Sequence, residues 1–402
     1  MSSLLSVEEA ERRVTNAFSK LPPETVPVGK SLGRVLAEDA VARLTQPPFD
    51  VSSMDGYAVR AGDVAKIPAQ LKIIGEAPAG RPFKGKVGVS ETVRIYTGAV
   101  MPDGADAIVI QENTESDGKT VTVKAGTESG KHIRRAGLDF RAGDTLIPHG
   151  RYLSARDVTL LAAGDLAQVA VTRKPRIAVV ATGDELARPG EKHAPGGIVA
   201  SSNYGIVALV EKWCGVAVDL GILPDKPEAF ATLPRATKDC DLIVTLGGAS
   251  VGDHDLVQSA LEPLGFMLDF WKVAMRPGKP LIFGRLNKTP LLGLPGNPVS
   301  AIVCAVLFLR PAMAKMLGEP PYQPTMLKAK LTSPLKANDS RQDYIRARII
   351  RRDGEAYVEP FPVQDSSMQK ALAEAGGLIV RAPHAPTAAA GHMADVMVLD
   401  DC

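Results

Sequence analysis

The stretch from Thr245 to Asp255 holds the residue types that chemistry on a phosphate needs. Gly247, Gly248 and Gly252 let the backbone come close to a ligand, and a helix start beyond them offers unpaired N–H groups to an anion. Asp253 and Asp255 place carboxylates beside those donors, so anion and cation binding meet at one turn. Further carboxylates follow the same logic: Asp184 and Glu185 in Thr182-Gly183-Asp184-Glu185-Leu186, and Asp225 after Leu223-Pro224. Cations gather downstream. Lys272, Arg276 and Lys279 line the Pro/Gly-rich segment Met275-Arg276-Pro277-Gly278-Lys279-Pro280, where a polyphosphate or oxyanion finds fixed positive charge; plain surface charge is the competing reading. Hard carboxylate oxygens suit Mg²⁺, which also takes ligands from substrate phosphates. Together these groups fit chemistry on a phosphoanhydride.

A rival reading uses the same turn. Gly248-Ala249-Ser250-Val251-Gly252 matches Gly-x-Ser-x-Gly, the nucleophile elbow of serine hydrolases. With Ser250 as nucleophile, an acid and a histidine are needed downstream, and the histidine candidates are His384 and His392. Both lie in a β-type segment rather than after a late strand of an α/β sheet, and the elbow leaves the cations unexplained. A dinucleotide fold is weaker, because the first βα turn reads Thr-Gly-Asp-Glu and not Gly-x-Gly-x-x-Gly. No Gly-x-x-x-x-Gly-Lys-Ser/Thr motif exists, which excludes a P-loop.

The elements around these residues follow from pattern. Leu242-Ile243-Val244 feeds the turn, and Leu256, Val257, Ala260 and Leu261 continue it as a helix. Ile177–Val180 is a continuous apolar run, as in a strand buried on both faces. A helix from about 203 to 213, a strand 216–220, a helix 227–237 and a strand 241–245 follow. This alternation predicts a parallel sheet with helices on both faces, whose ligands sit beyond the carboxyl ends of the strands. Leu291–Leu294 runs a strand into Pro295-Gly296-Asn297-Pro298, and a long apolar helix follows to about Met316.

Upstream, Ser6 and Glu9 read as a capping box over a helix to about Lys20, with Val7, Ala10, Val14 and Phe18 on one face. A second short helix is expected from Gly33 to about Arg43. From there to Asp139 the pattern is short strands, at 71–74, 92–96, 107–110 and 120–123. Within them Asp55-Gly56 and Thr97-Gly98-Ala99 read as polar turns. Lys131, Arg134, Arg135 and Arg141 surround Asp139 as a basic cluster, which alone reads as a solvated face. Ser154–Asp157 opens another capped helix, which stops at Gly164. After a linker at 318–322, strands at 326–331, 343–350, 356–360 and 378–380 read as a small β domain. It carries Arg341, Arg346, Arg348 and the turn Gln364-Asp365-Ser366-Ser367.

The whole chain is 402 residues long with net charge +2, 45% hydrophobic and 5% aromatic content. It is long enough for several cores. Near-neutral charge argues against nucleic acid as the main partner. The cysteines Cys214, Cys240, Cys304 and Cys402 form no close pair, so buried free thiols in a reducing cytoplasm are expected. The N-terminus does not read as a signal peptide, and the apolar run 301–309 is too short to span a bilayer.

In order and spacing, Ser53–Ala58, Thr97–Ala99, Arg134–Asp139, Thr182–Leu186, the turn at 245–255, Met275–Pro280 and Leu294–Pro298 resemble the MoeA family of molybdopterin molybdenumtransferases. That family is related to the C-terminal part of gephyrin, and the likeness covers nearly the whole chain. It implies a multidomain α/β protein in four parts. These are a helical and extended dimerisation segment (1–45 and 140–173), an inserted β-rich domain (46–139), a Rossmann-like, MogA/MoaB-type molybdopterin-binding domain (174–322) and a C-terminal β-barrel (323–402). It implies that adenylylated molybdopterin binds with Mg²⁺ and molybdate as co-substrate, and that AMP and molybdenum cofactor leave. Glu185, Asp225 and Asp255 are then expected to handle Mg²⁺ and substrate. Lys272, Arg276 and Lys279 are expected to bind anionic groups, with Asp184, Gly247, Gly248, Ser250, Pro295 and Pro298 contacting the ligand. Asp55 and Thr97 are expected from the partner subunit of a homodimer, with Asp139 in support, and Arg346 and Ser366 are candidates for molybdate or pterin. A molybdopterin adenylyltransferase and molybdoenzyme delivery proteins are the expected partners. A non-catalytic molybdopterin-binding scaffold remains the third reading, against which the retained carboxylates and cations argue. Three positions depart from the family pattern: Arg276 for a common lysine, Leu138 for a frequent acid, and Asp365 for a frequent glycine.

Overall fold

The computed structural model describes residues 4–248 and 256–399. The chain divides into two compact units. One comprises the residues up to Glu24, Gly33–Ala37 and those from Val171 on; the other comprises Thr25–Leu32 and Glu38–Ala170.

The first unit is built on a six-stranded sheet, in the order Val216–Leu223, Arg176–Thr182, Leu242–Leu246, Thr289–Leu294, Ile282–Leu286, Phe266–Trp271. The first four strands are parallel, as the βα alternation predicts. The last two are antiparallel, which corrects the expectation of an all-parallel sheet. The reason is local: only Asn287 and Lys288 separate Leu286 from Thr289, and two residues can close a hairpin but not a parallel crossover. Alternate residues of the central strands face opposite sides. Ile177, Val179 and Ala181 pack with helix Ser202–Lys212, the stretch Pro298–Leu317 and the N-terminal helix Val7–Asn16. Ala178 and Val180 pack with Phe230, Leu233 and Leu261 on the other face. Both faces are therefore apolar, which is why these strands read as continuous hydrophobic runs.

Pro298–Leu317 is a single helix, long and apolar enough to cross a membrane, and 78% of it is buried. That burial identifies a core helix. Its middle, Ala305–Leu309, is wound as a π-helix. The expected helix at 227–237 is two short ones, Pro227–Phe230 and Leu233–Ala236. The strand from Val216 does not end at Gly221 but runs to Leu223, with Gly221 at φ 76° taking the bulge. The N-terminal helix stops at Asn16, and its box is half formed. Ser6 Oγ accepts the Glu9 N–H, while the Glu9 carboxylate turns to Arg12 and Arg13.

The helix expected over 33–43 does not form. Val35, Leu36 and Ala37 are all buried, a run that no single helical face accommodates, and Leu36 bridges to Val171. The final strands close into a five-stranded barrel: Gln342–Arg352, Glu355–Pro360, Met326–Leu331, Met393–Val398 and Gly377–Arg381, the last pairing back to the first. Met275–Arg276 adds to Gln342–Asp343 as a short parallel strand.

The second unit carries its own six-stranded sheet, ordered Ala107–Ile110, Gly56–Val59, Glu91–Ile95, Ala69–Ala77, Thr120–Val123, Thr114–Ser116. Tyr57 and Val59 join one core cluster and Ala58 another, so this sheet is also covered on both sides. Asp55-Gly56 is not a hairpin turn. Gly56 begins a strand, and a Cβ there would lie 2.1 Å from the Val109 carbonyl oxygen. Helix Ala155–Ala163 starts with a full capping box between Ser154 and Asp157. Ala40–Val41 pairs with Thr145–Ile147, further strand structure where helix was expected.

Candidate functional site

Four parallel strands end side by side, and their turns converge as the topology requires. Thr182, Leu223, Leu246 and Leu294 lead into Gly183–Glu185, Asp225, Gly247-Gly248 and Pro295–Pro298. These turns open onto a cleft of about 980 Å³ lined by Glu185, Asp225, Gly247, Gly248, Pro295 and Pro298 among others. Gly247 has φ 92°, and a Cβ there would approach the Thr182 carbonyl oxygen to 2.6 Å. A Cβ on Gly296 would sit 3.3 Å from the Gly247 Cα. Glycine is thus required where two turns press together under the cleft. Residues 249–255, and with them Ser250, Asp253 and Asp255, lie outside the described residues.

Asp184, Glu185 and Asp225 form an acidic group. Asp184 Oδ1 accepts the Asp225 N–H at 3.1 Å. Burial, then the charges of Asp184 and Glu185, push the Asp225 carboxyl above its ordinary range. A cation would relieve that repulsion, and the oxygen donors suit a hard divalent ion such as Mg²⁺. Among the described residues no three acidic, histidine or cysteine side chains converge to hold a metal by themselves.

The predicted cations are less open than the sequence suggests, and none of the three lines the cleft. Lys272 sits at φ 73°, and its Nζ lies 3.5 Å above the Trp271 ring centre. Arg276 is gripped in bidentate fashion by the buried Asp343 of the barrel, Nε to Oδ1 at 2.9 Å. Lys279 pairs with no carboxylate among the described residues, and its carbonyl accepts the Val273 and Leu281 N–H groups. Gly278 at φ 105° rests on Cys304, whose Sγ would be 2.5 Å from an added Cβ. Asp343 is a partner that sequence reasoning missed. Its signal is non-local, since it needs the register of Met275–Arg276 on Gln342–Asp343.

The barrel supplies one wall, though not with the residues expected. Arg346 is buried at 1% exposure, and its guanidinium donates to the carbonyls of Asp365 (2.8 Å) and Met368 (3.1 Å). It holds the 361–369 loop from beneath. Ser366 offers its carbonyl to the Val299 N–H at 3.1 Å. Asp365 accepts both the N–H and the hydroxyl of Ser367, which hold its carboxyl low. The residues reaching the cleft are Ser367 and Gln369, and Gln369 Nε2 donates to Ser201 Oγ at 2.9 Å. Ser201, Ser202 and Asn203 at the head of helix Ser202–Lys212 were also missed. A serine-serine-asparagine run at the start of an amphipathic helix was the available cue.

In the second unit, Asp55 Oδ1 accepts the Thr97 N–H (2.7 Å) and hydroxyl (2.8 Å), and these bonds lower the Asp55 carboxyl. Val51–Ser52 stitches the motifs of this unit together. Ser52 exchanges backbone bonds with Ala99 and Gly98 and pairs with Ile133. Asp139 is exposed, and its N–H donates to the Gln46 carbonyl. Arg135 pairs with Asp50 at 2.5 Å, so part of the basic cluster is neutralised.

The hydrolase reading finds neither His384 nor His392 among the described residues lining the cleft. His392 Nδ1 accepts the Ala389 N–H in a barrel turn, and the His384 N–H donates to the Asp339 carbonyl.

Comparison with known proteins agrees along the chain. The MoeA N-terminal region (domain I and II) matches residues 5–164, a probable molybdopterin binding domain matches 178–315, and the MoeA C-terminal region (domain IV) matches 328–399. A Haemophilus influenzae protein named molybdopterin molybdenumtransferase is 34% identical over 94% of both chains. Molybdopterin molybdenumtransferase 2 of Mycobacterium tuberculosis is 39% identical over 82% of this chain and 85% of its own. The crystal structure of the molybdopterin biosynthesis moeA protein from Pyrococcus horikoshii OT3 superposes with a TM-score of 0.85 at 28% identity, covering 98% of this chain and all of that one.

Proposed function

The chain belongs to the MoeA family of molybdopterin molybdenumtransferases, and from that premise we propose that it inserts molybdate into adenylylated molybdopterin, releasing AMP and molybdenum cofactor. The observation that carries this reading is the single cleft in which the Gly247-Gly248 turn meets Glu185 and Asp225. Backbone donors there bind the phosphoanhydride, and the carboxylates hold Mg²⁺, with Asp184 and Asp255 completing the acidic side. When bound, Mg²⁺ offsets negative charge on the phosphates. Lys272, Arg276 and Lys279 bind the remaining anionic groups, molybdate among them. Ser250, Pro295 and Pro298 contact the ligand, and Arg346 and Ser366 act through the loop they support.

The same reading extends to the assembly. We assign the chain to a cytoplasmic homodimer in the four parts 1–45 with 140–173, 46–139, 174–322 and 323–402. Each site joins the α/β domain of one subunit to Asp55, Thr97 and Asp139 of the other. A molybdopterin adenylyltransferase supplies the substrate, and molybdoenzyme delivery proteins take the product. The deciding experiment incubates purified protein with adenylylated molybdopterin, Mg²⁺ and molybdate, and measures AMP and active cofactor. Molybdate-dependent AMP release is expected, and its absence would overturn the reading. Glu185→Ala should lower turnover by about 100-fold or more; full activity in that variant would remove Glu185 from the site.

A further inference from the structure

Bordering the cleft is a buried polar group that nothing among the described residues satisfies. Asn203 is buried, with 3% exposure, and lines the cleft. Among the described residues its Oδ1 has no hydrogen-bond partner. Buried amide oxygens in native proteins are nearly always paired, and an orphan calls for an explanation. The residue stands at the head of the eleven-residue helix Ser202–Lys212. Its neighbours are fixed: Ser202 Oγ donates to the Gly296 carbonyl, and Ser201 Oγ accepts from Gln369.

The surroundings indicate what would pair with it. Among the described residues lining the cleft, only Glu185 and Asp225 carry charge. Around Asn203 the lining is hydroxyl and amide, which suits a neutral heterocycle better than a phosphate. The short strand Ile198–Val199 lines the same cleft with apolar residues, 56% and 41% exposed, so an apolar surface borders it on that side. A carboxamide presents an acceptor beside a donor, the complement of the donor–acceptor edge of an aminopyrimidine ring.

We propose that Asn203 is a specificity residue that reads the hydrogen-bonding edge of a fused aminopyrimidine ring, pterin or adenine, in the bound ligand. This rests on the transferase reading above. A group kept unsatisfied for a ligand destabilises the free protein, so its removal carries a signature that a structural asparagine lacks.

The test compares wild type with Asn203→Ala and the isosteric Asn203→Asp. Melting temperature is measured without ligand, and affinity is measured calorimetrically for adenylylated molybdopterin, AMP and a simple 2-amino-4-oxopteridine. For Asn203→Ala we expect an unchanged or raised melting temperature and about tenfold weaker binding of adenylylated molybdopterin. A parallel loss for the pteridine alone assigns the pterin ring, and a loss for AMP alone assigns adenine. A lowered melting temperature with all affinities unchanged would make Asn203 a structural residue and overturn the proposal. If Asn203→Ala does not fold, Asn203→Asp decides, because wild-type affinity in that variant would equally overturn it. Wild type that neither binds these probes nor releases AMP sinks the transferase reading itself; wild type that does both, with unaffected variants, sinks Asn203 alone.

Discussion

A carboxyl group raised by burial and by two like-charged neighbours is stabilised by any positive charge placed beside it. Asp225 is that group. Its folded-state affinity for a proton exceeds that of the unfolded chain, so its stabilising contribution is present at low pH and is lost as pH rises through the raised value. At neutral pH without metal, Asp225→Asn should therefore melt higher than wild type. Mg²⁺ at a hundredfold excess over its Kd should stabilise wild type by about 2.7 kcal/mol and leave the variant unmoved. Thermal melts across pH with and without Mg²⁺ check both, and an equal Mg²⁺ response in the variant would remove Asp225 from the metal site. Asp55 runs the other way. Its carboxyl is lowered by Thr97, so that contribution is present at neutral pH and fades as pH falls through the lowered value. Thr97→Ala keeps the backbone bond and removes the hydroxyl one, so it should raise the Asp55 carboxyl only part of the way toward its ordinary value, read by carboxyl NMR titration. The acidic group was legible in the sequence because each member follows a strand whose apolar run announces it. Arg346 was not. An arginine on a strand reads as exposed, and only the distant 361–369 loop folding over it makes it a buried support.

At the level of elements, the glycine turn is the part least tolerant of change. Gly247→Ala has to adopt φ 92° and place a methyl group against the Thr182 carbonyl. It should cost about 1–3 kcal/mol, seen as a lower midpoint in urea, together with lost turnover. The Met275–Pro280 segment depends on the barrel. Asp343 is buried, whereas the Arg276 side chain is 49% exposed, so Asp343→Ala should cost about 1–3 kcal/mol, less than a fully buried pair. Arg276→Lys should lose part of the same increment, because an ammonium cannot reproduce the bidentate grip. A double-mutant cycle in which the two losses simply add would show that the pair is not coupled. Element types were readable wherever pattern is local: Thr120–Val123 falls where its alternation places it, and Ala107–Ile110 where its short β-branched apolar run does. The antiparallel edge of the α/β sheet was missed because its cue is a loop length, not an apolar pattern. The helix over 33–43 failed because pairing with distant residues such as Val171 overrode local propensity.

For the whole molecule, the proposed homodimer with shared sites predicts an outcome in mixtures. Asp55→Asn and Glu185→Ala each disable every site of their own homodimer. In a re-equilibrated equal mixture, about half the dimers pair the two variants, and each of these keeps one intact site, so about a quarter of wild-type activity should return. No recovery in a mixture shown by mass spectrometry to contain heterodimers would place both residues in one subunit's site. Within the first unit, the barrel also bears on timing. Val299 N–H to Ser366 and Gln369 to Ser201 fasten its loop to the cleft rim. Those two bonds hold the loop against the cleft rim, so loosening them is expected to ease ligand passage in both directions. Cutting one, as in Gln369→Ala, should speed both association and dissociation by about fivefold while leaving Kd nearly unchanged, as stopped-flow mixing would show. On that outcome, a bound ligand stays for a residence time that the barrel loop sets.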